Sequence, residues 1–71
     1  MAVLRINGRV YKSIEPLFKA NHEGDMIYEY NDALKLKAIS KAKGLLCQIK
    51  KYGARGDPFW VVYVASKQKP R

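Results

Sequence analysis

Lys50, Lys51, Tyr52 and Arg55 crowd into one short stretch of a 71-residue chain. Cations at that density do one thing well: they hold phosphate oxygens through charge-assisted hydrogen bonds, while the phenol ring offers a base a stacking surface. The run Gly53-Ala54-Arg55-Gly56-Asp57-Pro58 follows, and its glycines suit a tight connection. The functional reading is a cationic finger that enters a groove or tracks a phosphate backbone. The bland alternative, a solvated tip on a basic protein, carries about equal weight. Arg55-Gly56-Asp57 also matches a cell-adhesion tripeptide, but three residues recur by chance.

Other residue types with reactive potential are sparse. His22-Glu23-Gly24-Asp25 gathers groups able to bind a metal or move a proton. A lone histidine among acids more often marks a solvated turn. There is one cysteine, Cys47, so no disulfide forms within the chain, and no Cys/His set has zinc spacing. A lone thiol fits a reducing, cytoplasmic setting. No nucleophile–base pair, carboxylate pair or phosphate-cradling loop is visible. The sequence therefore predicts no enzyme, no metal, no cofactor and no small-molecule substrate. Neither a signal-peptide core nor a run of about 20 apolar residues occurs, so no membrane insertion is expected.

The elements that must position the finger follow from periodicity. In Leu45–Tyr52, Leu45, Cys47 and Ile49 alternate with Leu46, Gln48 and Lys50, a strand pattern. Phe59–Ala65 is apolar on both faces, as in a strand inside a sheet or one whose second face meets a partner. Nearer the N-terminus, Asn7-Gly8 joins two β-rich runs, predicting a hairpin of residues 2–6 and 9–13. Arg5 and Arg9 flank that turn and either extend a cationic edge or protect an exposed one. Ser13–Gly24 reads as a short helix capped by Ser13, with Pro16 in its first turn, or else as a loop.

Asp25–Tyr30 reads as a strand with Tyr28 and Tyr30 on one face, for packing or for stacking. Asn31–Gly44 is the main helix, with Asn31 or Asp32 as N-cap and Gly44 as its stop. Leu34, Ala38, Ala42 and Leu45, widened by Ile39, form its expected sheet-facing stripe, which leaves Lys37 and Lys41 outward. Lys43 lies in the last turn. The resulting class is α+β: a small single domain over residues 1–66, a β-hairpin followed by β-α-β-β. One mostly antiparallel sheet of four or five strands carries one main helix on one face. Residues 67–71 form a basic disordered tail bearing Lys67 and Lys69. A β-α-β-β run with a glycine-bearing hairpin resembles many small domains, and without a signature motif the likeness implies no function.

Charge points to the partner. Lys and Arg total 14 against 6 Asp and Glu, a net of +8. Residues 33–71 hold ten of the basic residues and a single acid, Asp57. A field so one-sided attracts polyanions. The expected function is a small nucleic-acid-binding protein, double-stranded DNA slightly favoured over RNA. Its expected contacts are Lys50, Lys51, Tyr52, Arg55, Lys37, Lys41, Lys43, Lys67 and Lys69. The alternative is a protein-interaction module, an accessory or inhibitory subunit docking on an acidic partner. A homodimer is expected if one sheet face is left uncovered.

Overall fold

Asn7 and Gly8 adopt φ of 50° and 78°, the left-handed pair that a type I′ turn needs. β1 (Val3–Ile6) and β2 (Arg9–Ile14) therefore close into a hairpin with Ile6 opposite Arg9 and Val3 opposite Lys12. This computed structural model describes residues 3–67. The remaining elements are β3 (His22–Glu23), β4 (Met26–Ile27), α1 (Tyr30–Ala42), β5 (Leu45–Ala54) and β6 (Asp57–Ser66). The class is α+β, one helix on an antiparallel sheet of six strands.

β6 is the strand to which the others are tied. β5 pairs along its whole length, from Leu45 opposite Ser66 to Ala54 opposite Asp57. On its other side β2 and β4 lie end to end, Ile14 opposite Val62 and Ile27 opposite Trp60. The expectation of an interior strand holds. β4 and β5 are each antiparallel to β6 and so run parallel to each other, with α1 crossing over the strand between them.

The sheet has six strands rather than four or five because the segment after β2 folds differently from the expected short helix. Ser13 completes β2 instead of capping, Pro16 is buried in an irregular run, and His22–Glu23 pairs with Met26–Ile27 across Gly24-Asp25. The expected strand at 25–30 is accordingly short. Tyr30 is already helical, so Tyr28 and Tyr30 share no strand face. The N-cap is Glu29, not Asn31 or Asp32, and its side chain makes no capping bond. Asp32, one turn in, accepts a hydrogen bond from the Asn21 N–H at 3.1 Å.

Helix α1 is also rotated from its expected setting. Its buried residues are Ala33, Leu36 and Ser40, while Leu34, Ala38 and Ala42 face solvent. Both sets recur at helical spacing, so periodicity alone does not choose between them. Contacts at the ends choose. Tyr30 packs on Trp60 with ring centroids 5.5 Å apart, and the Cys47 thiol donates to the Lys37 carbonyl at 3.7 Å. The small Ala33 lets the helix come close to Ile27 and Val62, both fully buried, and Leu36, Ile14, Phe18, Ile49, Trp60 and Val64 complete this core.

The opposite face of the sheet is covered by the chain itself. Val61, Tyr63 and Ala65 are buried there with Tyr11, and Leu4 and Ile6 of the first hairpin pack on them with Leu46 and Phe59. The Arg9 guanidinium secures that hairpin by donating to the Ser66 carbonyl at 2.8 Å. Tyr63 shares a 2.8 Å hydroxyl–hydroxyl hydrogen bond with Tyr52. Burial first, then that bond and the charge of Asp25, push the Tyr63 phenol up to about 12. A raised phenol pKa means the folded state holds its proton more tightly than the unfolded chain. Its stabilising effect is complete below about pH 10 and disappears as pH climbs toward 12. Melting temperature should therefore drop through that alkaline window, and Tyr63→Phe should flatten the drop. An equal decline in the variant would assign the effect to another group.

Candidate nucleic-acid interface

The β5–β6 ladder closes through Arg55-Gly56 alone, a two-residue turn rather than the longer loop expected from Gly53 to Pro58. Gly53 is inside the ladder at φ +101°, where an added Cβ would lie 2.6 Å from the Asp57 carbonyl oxygen. Only glycine fits there. Beyond Trp60, β6 pairs with β5 alone among the described residues. The tip is thus a two-stranded finger projecting roughly 10 Å past the broader sheet.

Side chains alternate across a strand, so the finger's cations are split between faces. Lys50 lies opposite Val61 and Tyr52 opposite Phe59, on the face away from the helix. Tyr52 is 39 % exposed and stacks on Phe59 with centroids 5.7 Å apart. Lys51 lies opposite Trp60 on the helix face, its Nζ 6.0 Å from the Trp60 ring centroid. Arg55 is exposed at the tip. Each face at the base of the finger therefore presents a lysine beside an exposed tyrosine resting on a β6 aromatic ring: Lys50 with Tyr52 and Phe59, and Lys51 with Tyr30 of α1 and Trp60.

The remaining predicted contacts separate into two places. Lys37 and Lys41, one helical turn apart, share the flank of α1 nearest β5, as the Cys47–Lys37 contact fixes. They face the same side as Lys51. Lys37 is half-buried rather than fully outward as expected, because the helix is turned; Lys41 is exposed. Lys43 and Lys67 are exposed at the far end of the sheet, roughly 30 Å from Arg55 along β6. Lys69 lies outside the described residues, as does the expected disordered tail from residue 68 onward. The nine positions do not form one continuous face; Lys50, Lys51, Tyr52 and Arg55 gather at the finger, Lys37 lies beside Cys47 midway along β5, and Lys41 lies toward the far end with Lys43 and Lys67.

Tyr30 and Trp60 were missing from the expected contacts. The signal was present: a two-residue turn at Arg55-Gly56 fixes Lys51 opposite Trp60 by counting outward. Lys35, also outside the expected contacts, lies with Nζ 4.7 Å from the Phe18 ring centroid, on the other flank of the helix.

The polar turn His22–Asp25 is occupied with its own geometry. His22 Nδ1 lies 2.9 Å from the Gly24 carbonyl, Glu23 accepts from the Tyr28 hydroxyl, and Asp25 accepts from Ser13 Oγ at 2.7 Å. Among the described residues no three His, Cys, Asp or Glu side chains converge as a metal site, and no helix is long and apolar enough to cross a membrane. No protein-family model, curated protein or solved structure matches the chain.

Proposed function

We propose that this chain is a nucleic-acid-binding protein, with double-stranded DNA slightly ahead of RNA, and that the β5–β6 finger is its contact element. One observation carries the reading: a narrow projecting ribbon that ends in Arg55 and has, at its base, a lysine and an aromatic pair on each face. The DNA major groove, about 12 Å wide, admits a two-stranded ribbon, and cations on both faces suit phosphates lining both walls. Lys37 and Lys41 extend the contact along the helix side. In this reading the protein acts by binding, without catalysis or cofactor, in the cytoplasm.

A labelled duplex titrated across a salt series tests the proposal. Affinity should fall linearly on logarithmic axes, with a slope of about −3 to −5 if the finger and its neighbouring lysines neutralise that many phosphates. Binding no tighter or steeper than that of an unrelated protein of equal charge would refute it.

A second reading, a protein-interaction module, draws on the outer edge of β5. That ten-residue strand pairs only with β6 among the described residues, and an extended acidic segment could add to it. Competition separates the two: saturating duplex should not displace a partner held at the strand edge through backbone bonds.

A further inference from the structure

We propose that the groove between α1 and the segment following β2 is where a second copy of this chain docks, Leu17 of each copy entering the groove of the other. The groove holds about 820 Å³ and is lined by Ile14, Phe18, Leu36, Ile39, Leu45 and Val64. Leu17 stands on its lip and is 90 % exposed, the most solvent-exposed large apolar side chain among the described residues. A two-fold contact requires knob and hole on one surface patch, because each copy must offer what the other receives. This patch offers both.

Rim charge selects the occupant. Glu15 lies two positions before Leu17 on one lip, and Lys43 lies on the opposite, helical lip. Placing Leu17 in the neighbouring groove carries Glu15 toward the partner's Lys43, and symmetry makes the pairing twice. Val10 adds apolar surface alongside: it is 43 % exposed and shares a strand face with Ile14. A small specific dimer buries roughly 600 Å² per copy, about a ninth of the 5333 Å² surface, so the contact must extend past the groove onto Val10 and the exposed helix flank.

The site is at the end of the molecule away from Arg55, so docking leaves both fingers free. The net charge of +8 opposes association of two copies. Dimerisation should therefore strengthen with added salt, the reverse of the dependence expected for nucleic acid. The two ideas stand or fall separately.

Sedimentation equilibrium on the full, nuclease-treated chain decides it, run from about 1 μM to 1 mM at low salt and at about 0.5 M NaCl. A monomer–dimer equilibrium that tightens in high salt is expected. Leu17→Asp should weaken it at least about tenfold while leaving the melting curve unchanged, since so exposed a side chain supports no core. Glu15→Lys should weaken it too, and combining that change with Lys43→Glu should restore it. A chain that stays monomeric throughout, or a dimer indifferent to Leu17→Asp, overturns the proposal. So does a monomer whose groove takes up an apolar dye in a Leu17-dependent way, which would make the occupant a small amphiphile.

Discussion

Changing Lys50, Lys51 and Arg55 together to alanine should lower affinity for duplex DNA by about a hundredfold or more at moderate salt and reduce the salt slope by about 2.7. The slope follows if each cation neutralises one phosphate, since each releases its share of condensed counterions. Stability should hardly change. All three side chains are exposed, and the single ring contact among them, Lys51 over Trp60, is worth about 0.5–1 kcal/mol at a surface. Single variants then report how the finger sits. Equal losses from Lys50→Ala and Lys51→Ala indicate a ribbon with phosphates on both sides. A loss confined to Lys51→Ala moves the contact to the helix side of the sheet, where Lys37 also lies. If the triple variant binds as tightly as the parent protein, the finger is not the interface.

Ile27→Ala should destabilise the fold by about 2–4 kcal/mol. Ile27 is fully buried where β4 meets β6, packed among Val62, Ala33 and Leu36 between the sheet and the helix. Truncation there leaves a void that a short, doubly anchored strand does not collapse to fill. A domain of this size has roughly 4–10 kcal/mol of total stability, so a large part of it would be lost. Its melting temperature should fall by about 10–25 °C. Leu34→Ala is the companion measurement. Leu34 is 40 % exposed on the outward side of α1, and its loss should lower stability by less than about 1 kcal/mol. Comparable losses from the two variants, in chemical or thermal melts followed by circular dichroism, would mean that the helix presents its other stripe to the sheet.

These tests bear on what local sequence does and does not encode here. The Asn7-Gly8 hairpin, the Gly44 stop of the main helix at φ +83° and the doubly apolar β6 are legible because each depends on a few neighbouring residues. The helix rotation is not, since Leu34-Ala38-Ala42 and Ala33-Leu36-Ser40 are equally periodic. Choosing between them requires Trp60 and Cys47, which come from other strands. The β3–β4 pair is illegible for a related reason: two-residue strands leave no alternation to read, and Pro16 with Gly24 imitates helix punctuation. The candidate site was legible as a composition and not as a shape. Alternation already assigns Lys50 and Lys51 to opposite faces, but the extra length of the finger rests on Gly53 continuing the ladder, which glycine rarely does.

The placement of β6 also constrains how the polypeptide reaches its native form. Ile14 and Ile27 find their partners in Val62 and Trp60, so both early hairpins wait for a segment that emerges from the ribosome after them. A nascent chain halted before residue 57 has two detached hairpins and a helix that rests on β5 without the strand that ties β5 to the sheet. Assembly is then governed by distant pairings, which slow folding relative to a helical chain of the same length.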